Sequence, residues 1–582
     1  MNFLRNTWTT AYRAKLYPNY WDFFALVLVL AVITLFGWSA KQMATPYQLG
    51  EVIPISLDPT MLPFYAGRTV VRMLIALLFS FIFTFIFGTW AAKSRRAERL
   101  IIPTIDILQS VPILGFLSVT VAGFISLFPG SLLGPECAAI FAIFTSQAWN
   151  MAFGFYQSMR SIPAEINEAA TMLNLSTWRR FWRIEVPCAM PSLLWNTMAS
   201  MSAGWFFVVA AEAITVSNQQ ILLPGIGSFI AVAIKAANMQ AITYAVLTMF
   251  GVILIYDQLL FRPLVAWAEK FKSEQQASEK PAESWVINIF RRTHLVRFMG
   301  GKIAELFDAF VSIRFLQAEK KPMQPTAMML AAAVRRDRIM TWVWNTLLML
   351  VGIAALFILI HFIREHLTLA EIIYVFGLGL ITASRIFVLI ILCSFIWVPI
   401  GIWIGLRPQV AQFAQPIAQI LAAFPANLFY PFLVMFIVNY HLNPNIWLSP
   451  LMVLGAQWYI LFNVVSGASA IPKDLLQVAD NLGVVGWIRA YRLYLPAIFP
   501  YYLTGAITAA GGAWNASIVA EVASWGNEKL VATGLGAYIT EYTTQGNFVN
   551  TVLGIGVMCL LVLIINRLIW RPLYVYAENR FL

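Results

Sequence analysis

Residues 161–191, SIPAEINEAATMLNLSTWRRFWRIEVPCAMP, return 309 positions later as AIPKDLLQVADNLGVVGWIRAYRLYLPAIFP over 470–500. Pro163, Pro187 and Pro191 become Pro472, Pro496 and Pro500. Ile162, Ile166, Ala170 and Leu173 become Ile471, Leu475, Ala479 and Leu482. Steps of four, four and three residues put these side chains on one face of a helix. The same interval relates Trp149, Trp205, Glu212 and Arg262-Pro263-Leu264 to Trp458, Trp514, Glu521 and Arg571-Pro572-Leu573. Earlier in each copy it is 313, pairing Arg72, Gly88, Pro103 and Pro112 with Arg385, Gly401, Pro416 and Pro425. The first copy therefore carries four extra residues, most simply near 129–134. A chain built this way folds as two equivalent halves.

Long apolar runs surround both copies of the polar stretch. Hydrophobic residues make up 60% of the chain and charged residues 11%, with a mean hydropathy of +0.74. A soluble domain carries about 25% charged residues, so the expected fold class is an all-α polytopic membrane protein. Twelve runs reach about 20 residues, the length of a membrane-crossing helix. They lie near 21–38, 67–92, 101–127, 133–156, 188–212 and 240–263, then 340–362, 378–405, 416–438, 446–468, 497–522 and 549–570. The run at 21–38 is long for a signal-peptide core and is expected to stay as a first span.

The net charge of +12 does not point to nucleic acid, because Lys and Arg gather in short loops between apolar runs. Arg5, Arg13 and Lys15, the 93–99 loop and the 161–191 stretch all fall on one side, cytoplasmic under the positive-inside bias. Both termini are then cytoplasmic. Six spans is an even number, so the halves share one orientation, as in a parallel repeat. The expected organisation is an N-terminal arm, first span and external loop over 1–66, a first repeat over 67–269, a basic cytoplasmic connector over 270–339 and a second repeat over 340–582. Within the connector, 285–316 mixes apolar and basic residues and suits interfacial helices.

No phosphate-binding loop, His-Glu-x-x-His or Cys-x-x-Cys occurs, and the four cysteines are scattered. The chain is expected to have no catalytic residues, no metal site and no cofactor of its own. Transport driven from elsewhere is the natural reading.

Glu168-Ala169-Ala170, then Asn174, then Val186-Pro187 resemble the EAA loop of ABC importer permeases. In the second copy Gln477-Val478-Ala479 stands for the Glu-Ala-Ala, and Gly483 and Leu495-Pro496 fit the rest. The runs AMPSLLWNTMASMSAGWFFVVAAE and AIFPYYLTGAITAAGGAWNASIVAE are similar to the nitrate/sulfonate/taurine group of that family. The resemblance implies a type I importer-like permease of two fused halves in a bacterial plasma (inner) membrane. It further implies two copies of a cytoplasmic ATPase that bind ATP and Mg, an extracytoplasmic solute-binding protein, and a small anion as cargo. Each stretch would be a coupling helix seated in an ATPase cleft, with Ile162, Ile166, Ala170 and Leu173, and Ile471, Leu475, Ala479 and Leu482, as anchors. Small Ala169 and Ala170 allow close approach, and Glu168 or Arg179 supplies a rim ion pair. Asn174 sits where Gly is usual, and Asn tolerates left-handed backbone.

Polar residues inside spans are the candidate pathway, because they are costly there unless paired or wet. Glu212 and Glu521 lie near the outer ends of equivalent spans, as gate residues or as helix-end carboxylates bonded to backbone. Arg72 and Arg385 are expected to begin equivalent spans at the outer side, drawing an anion inward or snorkelling to the surface. Gln147, Trp149 and Asn150, with Gln457 and Trp458, suit a cavity lining or packing mass. Asn515 and Ser517 replace Phe206 and Val208, so the second half offers the more polar wall. The competing architecture is a proton-coupled secondary transporter of two parallel six-span halves, which has no need of a structured loop between its fourth and fifth spans.

Overall fold

A computed structural model describes residues 20–43, 45–47, 51, 53–110, 113–162, 164–216, 219–268, 285–286, 293–312 and 327–581. Helices dominate, and the strands among these residues form two hairpins. Among the described residues, five helices are long and apolar enough to cross a membrane: Pro59–Lys93, Thr177–Glu212, Met239–Ala268, Leu369–Gly405 and Phe548–Ala577. The helices Tyr20–Met43 and Ala327–His366 contain the runs at 21–38 and 340–362. The helix Leu133–Arg160 contains 133–156.

Two expected spans are interrupted among the described residues. The run 416–438 is split between Pro408–Ala423 and Ala426–Asn439, which bend by 75° at Phe424 and Pro425. Pro425 has no N–H to continue the ladder and biases Phe424 to an extended backbone. The run 101–127 falls in the helices Arg95–Ser110 and Ile113–Leu127, with 111–112 outside the described residues. The run 446–468 yields the short turns Pro444–Trp447 and Ser449–Met452 and a helix only over Trp458–Ser469. Pro450 lies in the second turn where the first copy has Phe141, and the first copy runs unbroken from Leu133 to Arg160.

The duplication is clearest in the hairpins, the short helices that follow them and two of the π turns. The hairpin of Ala213–Val216 and Gln219–Leu222 recurs as Val522–Trp525 and Glu528–Val531, with Ala213 opposite Leu222 and Val522 opposite Val531. The short helix Ile226–Lys235 recurs as Leu535–Gln545. Widened π turns at Phe181–Glu185 and Asp257–Phe261 recur at Ala490–Tyr494 and Asn566–Trp570. The hairpins and short helices lie between the apolar runs 188–212 and 240–263, and between 497–522 and 549–570, where the run pattern carries no signal.

The four extra residues of the first copy fall in the turn after Leu127. There Tyr47 N donates to Gly130 O, Leu132 N donates to Thr45 O, and Pro46 bridges Ser131. The added turn therefore anchors the segment that precedes the first repeat, and Tyr47 packs beside Leu132.

Contacts group the chain into two units. One comprises Gln157–Trp195 with the described parts of Met1–Gln42 and Ile255–Met323. In it, the connector helix His294–Val311 packs by Phe307 and Phe310 on Trp178 and Trp182. The other comprises Met43–Tyr156, Asn196–Leu254 and Gln324–Leu582. Its largest core joins Leu369–Gly405, Trp458–Ser469, Leu495–Ala520 and Phe548–Ile565. Matched glycines permit close helix approach here: a Cβ on Gly88 would lie 3.0 Å from Phe155 Cδ1, and one on Gly401 would lie 2.7 Å from Val464 Cγ1.

Candidate transport and docking sites

Glu212 ends its helix just before the first hairpin, and the short helix beginning at Ile226 turns back beneath its carboxylate. Gly227 N donates to Glu212 Oε2 at 2.7 Å, and Thr69 Oγ1 donates to Oε1 at 2.7 Å. Arg72 Nη1 reaches the same Oε1 at 2.6 Å, and its other nitrogens grip Glu136 at 2.6 and 2.7 Å. Arg68 Nη2 adds a second bond to Glu136 Oε1 at 2.7 Å. All four charged groups are buried. Two guanidinium and two carboxylate groups cancel, which is the condition under which such burial is tolerated.

The second repeat keeps half of this cluster. Thr382 Oγ1 donates to Glu521 Oε1 at 2.8 Å, and Ala537 N donates to Oε2 at 2.9 Å. Arg385 is 3.4 Å from Glu521 and donates to Asn445 Oδ1 at 3.0 Å. Ile381 and Asn445 stand where the first repeat has Arg68 and Glu136, so this cluster is also neutral.

These bonds correct the sequence reading of Arg72 and Arg385. Neither begins a span or reaches outward: the helices start earlier, at Pro59 and Leu369. At 1.5 Å per residue the arginines lie roughly 20 to 24 Å along their helices. Arg72 is wholly buried, and the Arg385 side chain is 14% exposed. Carboxylates supplied by neighbouring helices, not water, neutralise them.

Gln147 is buried, with Nε2 on the sulfurs of Met73 and Met201 and Oε1 accepting from Ser80 Oγ at 3.2 Å. Trp149 packs edge-on to Phe83 with ring centroids 5.3 Å apart. Asn150 donates to Ser200 Oγ at 3.0 Å. In the second repeat Gln457 Oε1 accepts from Trp397 Nε1 at 2.9 Å, and Trp458 lies 5.2 Å from the same indole. These residues hold helices together within their own repeats.

Asn515 instead joins the two repeats. Its Oδ1 accepts from Ile113 N at 2.8 Å, at the first residue of the helix Ile113–Leu127. The matching contact runs the other way: Asn427 Nδ2 donates to Phe206 O at 3.2 Å. Phe206 is the counterpart of Asn515, and Asn427 follows the counterpart of Ile113. The two contacts therefore follow the pseudo-two-fold relation between the repeats, with an amide in different places. Asn427 Oδ1 is buried with no partner among the described residues.

The two polar stretches fold alike. Ala164–Met172 and Lys473–Asn481 are short helices, each followed by a left-handed residue, Asn174 at φ 48° and Gly483 at φ 64°. Leu175 N then closes on Ala170 O at 3.1 Å, and Val484 N on Ala479 O at 2.9 Å. Ala170 and Ala479 are thereby buried within the chain's own fold, as is Ile471, while Ile162 and Ile166 are partly covered. Leu173 and Leu482 are 67% and 73% exposed. Glu168, Ala169, Leu475 and Gln477 are exposed as well, and Arg179 is partly covered. Each stretch thus presents a short helix with free apolar side chains.

Residues 84–261 and 397–573 each match the family described as the binding-protein-dependent transport system inner membrane component. Together they make up more than half of the chain. The chain belongs to this family, with its permease domain present twice. It is similar to the bicarbonate transport system permease protein CmpB of Synechococcus elongatus, at 24% identity over 184 residues, 32% of this chain and 60% of that protein. The nitrate import permease protein NrtB of a Synechocystis species is 22% identical over 245 residues, 40% of this chain and 84% of NrtB. The glycine betaine/carnitine transport permease protein GbuB of Listeria monocytogenes is 28% identical over 129 residues, 22% of this chain and 42% of GbuB. The alignment spans less than two thirds of CmpB and GbuB.

Several residues of these sites escaped the sequence reading. Arg68, Thr69, Glu136, Thr382 and Asn445 were not singled out, nor were the glycines that clear room for the carboxylates. The signal was available in the repeat arithmetic. Gly225-Ile226-Gly227 and Gly534-Leu535-Gly536 recur at 309, as Thr69 and Thr382 do at 313. A Cβ on Gly225 or Gly534 would lie 2.3 or 2.2 Å from the Glu212 or Glu521 carboxyl group.

Proposed function

We propose that this chain is the fused two-half permease of an ATP-driven ABC importer and forms the pathway for a small anion. Two copies of a separate ATPase, which bind ATP and Mg, dock on the stretches 161–191 and 470–500. A solute-binding protein delivers cargo on the opposite face. The repeats are 67–269 and 340–582, joined by a connector over 270–339, with both termini on the ATPase side.

The observation that carries this reading is the pair of short helices, Ala164–Met172 and Lys473–Asn481, with exposed leucines at equivalent places. A lone amphipathic helix rests on a membrane surface readily. Two copies with the same left-handed turn, in a chain that carries no nucleotide-binding loop, are better explained as sockets for a paired motor. The anion rests on the bicarbonate and nitrate named for CmpB and NrtB. GbuB, named for a betaine, is the counterweight.

The exposed leucines make the sharper test, because Ala170 and Ala479 are buried and their replacement would disturb the loops themselves. Leu173→Glu with Leu482→Glu is expected to abolish co-purification of the ATPase and uptake together. Retention of both in a folded double variant sinks the docking reading. For cargo, ATPase stimulation in nanodiscs with the solute-binding protein is compared for bicarbonate, nitrate and glycine betaine. Stimulation by the betaine alone overturns the anion assignment.

A further inference from the structure

The two docking stretches are held in place by different means. In the first, Trp178 Nε1 donates to Phe310 O at 3.2 Å, and the two rings lie 5.1 Å apart. Trp182 meets Phe307 and Phe310 edge-on, each at 5.7 Å, and Arg183 pairs with Asp308 at 3.2 Å. All three partners lie on the connector helix His294–Val311. A short turn away, the Ser176 side chain caps the helix Thr177–Arg180, and Asn174 returns the chain to the docking helix. A segment from outside the repeat thus fixes the base of the first docking loop.

Among the described residues the second loop has no such brace. Trp487, Ile488 and Tyr491 match Trp178, Arg179 and Trp182, and they are 77%, 59% and 64% exposed. Arg492, the match of Arg183, has no ion pair among the described residues. Arg489 instead bonds to Asp480 and reaches Leu476 O at 3.4 Å, tying the second docking helix to the turn after it. The Asp480 side chain is 61% exposed. An ion pair so open to water holds weakly and is screened by salt, as is the Arg183–Asp308 pair of the first loop, but the packed rings beside that pair are not screened.

We propose that the connector helix is a built-in brace that pre-forms the first docking loop and so makes the two ATPase sites unequal. The first is the tighter site. The second is the weaker, and it loosens further as salt rises. The inference rests on the ATPase-docking reading above and gives the asymmetry a direction. Ordering two aromatic side chains before the partner arrives removes that cost from association, worth roughly tenfold in affinity.

Two measurements on the full chain test it. Hydrogen exchange without any ATPase is expected to be about tenfold slower over 164–180 than over 473–489, with the gap widening in high salt. Equal or faster exchange over 164–180 overturns the brace. Titration of nanodisc-held permease with the purified ATPase of the same transport system is expected to resolve two classes of site. Phe307→Ala with Phe310→Ala is expected to weaken only the tight class, and Asp480→Ala only the weak one. One class in the unmodified chain, or no change in the Phe307 and Phe310 variant, overturns the inference while docking stands. No ATPase binding to the unmodified chain sinks the docking reading itself.

Discussion

Arg68 and Glu136 form a buried ion pair at 2.7 Å in the first repeat, and their counterparts Ile381 and Asn445 have lost both charges together. Neutrality is kept in each repeat by different numbers of charges. The joint change follows from the cost of burial, since one unmatched charge away from water is worse than two or none.

Transplanting the second repeat's solution tests this. Glu136→Asn alone leaves two guanidinium groups facing one carboxylate and is expected to cost about 3–5 kcal/mol, as does removal of one partner from other buried pairs. Adding Arg68→Ile restores the balance and is expected to recover most of that loss. Thermal unfolding of the detergent-solubilised protein reads both, and additive losses would show that the pair is not coupled.

The duplication and the helical class were legible because apolar run length and the 309 interval are direct records of membrane crossing and of repeat, and the family because Glu168-Ala169-Ala170 and Val186-Pro187 resemble its motif. The junctions were not. Glu136 opens a long apolar helix, where one acidic residue looks like a boundary marker. Arg72 was misplaced because hydropathy starts the span near 67, while helix geometry starts it at Pro59. The bend at Phe424 and Pro425 is written in a proline, yet a run averaged over twenty residues hides it. The connector helix met its partners through rings far apart in sequence, Trp178 with Phe310, and no periodicity reports that.

Helix contact at the matched glycines sets a second expectation. Gly401→Leu drives a side chain into Val464, whose Cγ1 would lie 2.7 Å from the new Cβ. Overpacking of this kind costs about 1–3 kcal/mol. Val464→Ala in the same chain makes room and is expected to return part of it. Gly556→Ala has nothing within 4 Å and serves as the control, neutral or stabilising by up to about 1 kcal/mol. Melting temperatures of the three variants decide it. A neutral Gly401→Leu would mean the helices separate freely.

The left-handed turn after each of the short helices Ala164–Met172 and Lys473–Asn481 gives a third. Asn174 at φ 48° tolerates Gly but not a β-branched residue. Asn174→Gly is expected to leave the loop within about 0.5 kcal/mol, whereas Asn174→Val strains it by about 1–2 kcal/mol. Hydrogen exchange at Leu175, whose N–H closes on Ala170 O, reports the local change. Unchanged protection in the valine variant would refute the turn geometry.

The amides between the repeats differ in what their loss exposes. Asn515→Leu removes the side-chain oxygen that accepts from the Ile113 backbone N–H and is expected to leave that donor unpaired. An unpaired donor of that kind costs about 1–3 kcal/mol. Asn427→Leu removes a donor from Phe206 O and also an Oδ1 that already lacks a partner, so its cost is expected to be below about 1 kcal/mol. Asn515→Leu should therefore lower the unfolding temperature more than Asn427→Leu. Should the order be reversed, the unpartnered Oδ1 of Asn427 is satisfied in the membrane, and ordered water or cargo at that amide becomes the thing to look for.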